Sequence, residues 1–296
     1  MVARGDRSIL AHRTMNRAAA VAGTWYPGSP GALAREVDAY VATVEEVPRG
    51  RVDAVIAPHA GLMFSGPVGA HSYKAAAASS PYDAVVLVGP SHFVAFDGVA
   101  LYPDGAFETP FGPVAIDADL GEAIRTACDV VHPFHAAHRR EHSLEMQLPF
   151  IKRLLPQVPI VPLLMGYQLR ETILALGDAL GRVAAEQRLL IVASTDLSHY
   201  FDAATAASLD ARVEQAAADF DPDRLLALFE QYPENERGRY VACGGGPAIA
   251  VMRAARARGA SHGRVLRYAH SGQISGDNTG VVGYLAAAFG TFTDVH

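Results

Sequence analysis

Four short runs, residues 54–57, 84–88, 160–164 and 189–193, are wholly apolar, and much of the chain between them carries helical periodicity. A strand with one wet face alternates polar and apolar residues. A run with no polar residue has both faces covered, the pattern of a largely parallel sheet with helices on both sides. The first run, Ala-Val-Ile-Ala, ends at Pro58 and the second, Ala-Val-Val-Leu-Val, at Gly89-Pro90, so the chain turns sharply at both strand ends. Helices are predicted from Ser29-Pro30 onward, where Leu33, Val37, Val41 and Val44 recur at helical spacing, and over residues 67–79, 118–126, 141–155, 169–186, 203–218, 222–231 and 246–258. Residues 264–269 and 281–287 complete the strands, and residues 98–116, with Asp104-Gly105, read as a small antiparallel hairpin on the sheet edge. The fold class is therefore α/β, with a mixed, mostly parallel central sheet flanked by helices.

At 296 residues and half hydrophobic, the chain can bury one large core. The expected division is a loose N-terminal tail, residues 1–16, followed by a single domain, residues 17–292. A net charge of −6 gives no global positive field to collect nucleic-acid phosphates or anionic lipid. Two cysteines, Cys128 and Cys243, do not make a disulfide framework, so a reducing cytoplasm is expected. No apolar run approaches the roughly 18–20 residues of a membrane span.

The chemistry gathers at the strand ends. His59 follows the first apolar run, His92 the second, Asp196 and His199 the fourth, and Cys243 precedes a helix in Ala-Cys-Gly-Gly-Gly-Pro. In an open parallel sheet, ligands bind beyond the carboxyl ends of the strands, so residues at those ends meet in one pocket, and a turn of helix after the fourth run would bring Asp196 and His199, three apart, onto one face. Any one such histidine is more often an ordinary loop residue. Three histidines, a carboxylate and one of two cysteines, all near Gly or Pro, point instead to a metal site. Cys243 near a helix N-terminus favours thiolate, whereas Cys128 reads as a small core residue. His142 and Glu145, three apart at the start of a predicted helix, are expected to support the pocket or touch substrate. His132, His135 and His138 read as a solvated polar segment. The three glycines 244–246 read as room for close approach to a metal or substrate, in preference to a phosphate cradle.

These residues lie in segments that resemble the Memo family (mediator of cell motility), whose bacterial and archaeal members are called AmmeMemoRadiSam system protein B. The resemblance is carried by Thr24-Trp-Tyr-Pro27, Ala57-Pro-His-Ala-Gly61, Val88-Gly-Pro-Ser-His92, Glu108-Thr-Pro-Phe-Gly112, Glu141-His-Ser-Leu-Glu-Met-Gln-Leu-Pro149, Ser194-Thr-Asp-Leu-Ser-His199 and Ala242-Cys-Gly-Gly-Gly-Pro247. It implies a fold similar to the class III extradiol dioxygenases, which open catechol rings with O₂ at non-haem iron. It also implies His59, His92 and Cys243 as metal ligands, with Asp196 and His199 beside them. Those dioxygenases use two histidines and a glutamate; cysteine in the third place is a softer donor that also suits copper or zinc. Functional partners of the radical-SAM and Ammecr1-like types are implied as well.

Three functions follow as expectations. The first is a non-haem, Fe(II)-dependent, dioxygenase-like redox enzyme acting on a small, aromatic substrate, with His199 as acid or base and Asp196 orienting it. The second is a non-catalytic iron- or copper-binding or protein-interaction module, and the third a zinc hydrolase with a His₂Cys site.

Overall fold

A computed structural model of the chain describes residues 16–183 and 185–293. Nearly all of the predicted tail lies outside the described residues; Asn16 is the exception, and its side chain donates to Glu108. In chain order the elements begin with α1 (Pro30–Ala42), β1 (Gly50–Ala57), α2 (Leu62–Ala78), β2 (Ala84–Pro90) and β3 (Val99–Leu101). They continue with β4 (Ala106–Phe107), β5 (Val114–Ala115), α3 (Ala118–Ala127), β6 (Val131–Pro133), α4 (His135–His138), a 3₁₀ turn (Glu145–Gln147) and α5 (Leu148–Leu154). The second half holds β7 (Ile160–Met165), α6 (Arg170–Arg182), β8 (Leu189–Ser194), β9 (His199–Phe201), α7 (Ala203–Ala218) and α8 (Pro222–Glu230). It ends with α9 (Arg237–Tyr240), α10 (Gly245–Ala257), β10 (His262–His270), α11 (Gly272–Ser275) and β11 (Val281–Phe292).

The main sheet runs β10-β11-β1-β8-β2-β7-β3-β6, with β9 on β11. Its centre, β1-β8-β2-β7, is parallel, and β11 joins β1 antiparallel. Successive residues of each central strand feed opposite layers. Ile56, Val86 and Ile191 pack with α6 and α10, while Val55, Leu87 and Val192 pack with α1, α2 and α5. That two-sided burial is why the strands are apolar without a break. No helix among the described residues is long and apolar enough to cross a membrane.

Three predicted elements differ. Residues 98–116 do not form one edge hairpin: β3 enters the main sheet between β7 and β6, and only β4 and β5 pair as a separate ribbon. The helix predicted from residue 141 starts at the 3₁₀ turn. The Glu141 carboxylate accepts the backbone N–H groups of His142 and Ser143, a local turn that competes with helix. Residues 195–198 are extended, because Leu197 and Ser198 exchange backbone hydrogen bonds with Gly283 of β11.

Glu145 is not at the pocket. Its buried carboxylate accepts from Arg17 Nη1 (2.7 Å), the N–H groups of Ala20 (2.7 Å) and Val21 (3.0 Å), and the Tyr26 hydroxyl (2.8 Å). These bonds strap residues 17–26 onto the domain. Removing one partner of a buried pair leaves the other uncompensated, so Glu145→Ala is expected to destabilise the fold by about 3–5 kcal/mol. Urea unfolding measures this, and a loss below about 1 kcal/mol, the range of an exposed pair, would contradict the strap.

Candidate metal centre

His59, His92 and Asp196 each lie two residues beyond the last residue of their strand, Ala57, Pro90 and Ser194. Parallel register places those ends side by side: Ala57 pairs with Ser194, and Val88 with Ala193. The residues line a cleft of about 510 Å³ together with His142, His199, Cys243, Trp25 and Arg239.

The hydrogen bonds fix the state of His59. Ser194 Oγ donates its only proton to the carbonyl of Ser143 (2.6 Å) and accepts from Gln147 Nε2 (2.8 Å). His59 Nδ1, 2.9 Å from the same oxygen, must therefore be the N–H donor, which leaves Nε2 with a lone pair when the ring is neutral. The His59 backbone N–H is held by Asp196 Oδ1 at 2.7 Å. His59 Nε2 faces Cys243 Sγ at 3.2 Å. Two lone-pair donors at this distance are stabilised by a shared cation, either a proton or a metal ion. Bonds of about 2.1 Å to nitrogen and 2.3 Å to sulfur, at angles between 90° and tetrahedral, separate such donors by about 3.1–3.6 Å.

His92 is set in the same manner. Its backbone N–H and Nδ1 both meet Glu141, at 2.6 and 2.9 Å. Burial works against the Glu141 carboxylate, but the bonds from His92 and nearby backbone N–H groups outweigh it and pull the pKa down to about 2. Nδ1 of His92 thus donates to a carboxylate, and Nε2 is left for the cleft. Burial also disfavours a charged His92, yet Cys243 and Glu141 push its pKa up to about 10.

His142 stacks on His92 with centroids 4.6 Å apart, meets His59 edge-on at 5.5 Å, and lies against Trp25 at 4.3 Å. Burial, followed by the charges of His59 and His92, lowers its pKa to about 3, so the ring is neutral at ordinary pH. Its Nδ1 sits 3.4 Å from Glu141 Oε1 outside hydrogen-bonding geometry, and it is a buried nitrogen with no partner. Donor atoms of His59, His92 and His142 all lie within 4.8 Å of one another, close enough for the three to share one metal ion. His142, expected in a supporting place, has its ring beside those of His59 and His92.

Cys243 is held by backbone. Its N–H donates to Asp196 O at 3.2 Å, and Sγ accepts from Asp196 N at 3.3 Å. Burial alone would raise the thiol, but His59 and then His92 reverse this and bring the pKa down to about 6. The following glycines serve packing rather than a metal or substrate. A Cβ at Gly244 would lie 2.5 Å from Ser194 O, and one at Gly245 would lie 2.4 Å from the Phe229 ring. Cys128 is buried as expected. Of the solvated segment, His138 is in fact a core residue bonded to Ala100 O.

Asp196 and His199 line the cleft without the predicted helical turn. Asp196 is buried and spends Oδ1 on the His59 loop; His199 Nδ1 is buried without a partner. Reading by residue type missed Glu141, Ser194 and Gln147, which orient the imidazoles, and the cleft residues Trp25 and Arg239. The available signal was that all of these but Arg239 lie in the segments that carry the family resemblance, and that Trp25 is the only tryptophan.

These features define a single-domain α/β protein with a histidine-lined cleft at the carboxyl edge of its sheet. The chain belongs to the Memo family: the model of the Memo-like protein family matches residues 17–288. It is 36% identical to a MEMO1 family protein of Methanopyrus kandleri over 286 residues, covering 93% of this chain and 99% of that one. A MEMO1 family protein of Methanothermobacter thermautotrophicus is 35% identical, covering 91% and 99%. The crystal structure of an uncharacterized protein from Escherichia coli K12 shares the fold, with a TM-score of 0.54 at 14% identity, covering 81% of this chain and all of that one.

A thiolate is the reactive form of cysteine. Alkylation of Cys243 in metal-free protein is therefore expected to rise with a midpoint near pH 6, while burial keeps Cys128 slow. Mass spectrometry after timed iodoacetamide labelling reads both sites, and a Cys243 midpoint at the ordinary thiol value, about 8.5, would contradict the electrostatic account.

Proposed function

We propose that this protein is a non-haem metal enzyme, with Fe(II) as its resident ion, that oxidises a small aromatic substrate in the cleft. The observation that carries this reading is the convergence of His59, His92 and His142 donors within 4.8 Å, with Cys243 Sγ 3.2 Å from His59 Nε2. The donor set fits such an ion. Ser194 and Glu141 orient His59 and His92, as outer partners orient metal-bound imidazoles, and the Cys243 pKa of about 6 makes its thiolate available. His59, His92 and Cys243 would hold the metal, with the neutral ring of His142 as a further donor. When bound, the metal supplies a redox-active centre for O₂ and substrate.

The chain's own residues do the rest. His199, which lines the cleft, moves a proton to or from the substrate. Asp196 acts as a positioning residue, holding the His59 loop. Trp25 and Tyr200 line the cleft and offer aromatic faces to the substrate. A reducing cytoplasm suits both Fe(II) and a free thiolate, and action beside radical-SAM and Ammecr1-like proteins would make the reaction one step of a longer conversion. A thiolate also accepts copper or zinc, so the metal itself is the first measurement.

Protein purified without air is expected to carry stoichiometric iron and to consume O₂ when offered catechols. Colourless protein with stoichiometric zinc would move the reading to hydrolysis, and protein that takes up no metal would end it. His92→Ala and Cys243→Ser should lower iron content sharply. His199→Ala should keep the iron and lose turnover by about 10²–10⁴-fold, the range of general acid–base catalysis; loss of iron in that variant would remove the proton-transfer role.

A further inference from the structure

Among the described residues that line the cleft, Arg239 is the one permanent cation. It lies on α9, four residues before Cys243, and a Cβ at neighbouring Gly238 would touch Cys243 Cα at 3.5 Å, so this turn packs directly on the cysteine. Arginines 17, 51, 125, 153, 170, 224 and 253 are paired to carboxylates. Arg239 has no carboxylate partner among the described residues. Its guanidinium lies over the rings of Phe201, at 4.7 Å, and Tyr240, at 5.7 Å. Stacking occupies the faces of a guanidinium and leaves its in-plane N–H edge for a ligand. Among the described residues Asp196 is the only carboxylate lining the cleft, and it is engaged with His59.

We propose that Arg239 is an anion subsite and that the substrate is a small aromatic carboxylate, with its acid group on the guanidinium edge and its ring beside Trp25. This rests on the reading of the cleft as the site of a small aromatic substrate. A carboxylate matches one arginine fork in both shape and charge. A phosphate dianion would be left half-neutralised, since no second permanent cation among the described residues lines the cleft. The aromatic body follows from Trp25, which lies 4.3 Å from His142, and from Tyr200, which lines the same cleft and is 70% exposed.

Trp25 is the only tryptophan, so its fluorescence reports occupancy of the cleft without turnover. Benzoate, its neutral isostere benzamide, and phenyl phosphate are titrated into protein as purified and after chelation. Wild type should bind benzoate about tenfold or more tighter than benzamide, the worth of a hydrogen bond to a charged group. Arg239→Gln should abolish that preference with benzamide binding unchanged, and Arg239→Lys, which keeps the charge and loses the fork, should retain part of it. Circular dichroism of both variants should match wild type. Benzoate binding that ignores Arg239, or a preference for phenyl phosphate, would overturn the subsite. So would benzoate binding that disappears on chelation yet is insensitive to Arg239→Gln, because the acid would then sit on the metal. Absence of iron and of O₂ uptake would overturn the enzyme reading alone, since the titrations are scored on binding.

Discussion

The hydroxyl of Ser194 has one proton, and where that proton goes determines what the cleft can hold. It ends β8, the strand between β1 and β2, and bonds to three other segments: His59 after β1, Ser143 in the loop before α5, and Gln147 at the end of the 3₁₀ turn. Because the proton goes to Ser143, His59 must donate from Nδ1 and turn Nε2 toward Cys243. Gln147 is fixed in turn by the Tyr73 hydroxyl of α2 at 2.9 Å and by Pro58 O at 3.1 Å. One oxygen thus joins the sheet, the α2 layer and the tautomer of the first imidazole. A hydrophobic residue at 194 would satisfy the sheet as well as its apolar neighbours do; the serine is there for the site.

The remaining polar groups of the cleft follow from the same economy of protons. Glu141 takes the Nδ1 proton of His92, Asp196 takes the His59 backbone N–H, and Cys243 accepts from the N–H of Asp196. Glu141 is used behind the His92 ring and Asp196 Oδ1 on the His59 backbone, while Asp196 Oδ2 lies 4.0 Å from His59 Nε2, so the closest approach inside the cleft is between imidazole nitrogen and sulfur. Lone pairs crowded in this manner repel one another until a cation is shared. The lowered thiol of Cys243 and the raised imidazole of His92 follow from that crowding, each favouring the charged form of the other.

Much of this was legible in the sequence, for physical reasons that differ by element. The buried strands were visible because burial on both faces forbids polar residues, and the strand-end rule then located His59, His92 and Asp196 without any knowledge of distances. Helix 203–218 agrees to the residue, and Asp202 caps its start by accepting from the N–H groups of Ala204 and Thr205. The segment from 139 to 147 was not legible. Its apolar spacing suits a helix, but Glu141 folds its carboxylate onto the next two N–H groups, and Arg17, from 124 residues away in sequence, binds the Glu141 carbonyl. A bond between such distant residues leaves no periodic trace. The same holds for Arg239, whose meaning lies in having no acidic partner, a property of the folded surroundings rather than of the local sequence.

That illegible segment also links the site to the N-terminal strap. Within five residues, Glu141 orients His92, His142 offers its ring to the cleft, and Glu145 anchors residues 17–26. Arg17 bonds both Glu141 O and the Glu145 carboxylate, so strap and imidazole positions share one hydrogen-bonded network. The strap delivers Trp25 against His142, and the Trp25 carbonyl accepts the N–H of Leu62, three residues beyond His59. Residues 141–144 are not helical, and the Glu141 carboxylate gathers four N–H groups, the backbone and Nδ1 of His92 and the backbone of His142 and Ser143. A single short segment therefore fixes one imidazole through Glu141, supplies another in His142, and through Glu145 holds the strap that closes the wall beside them.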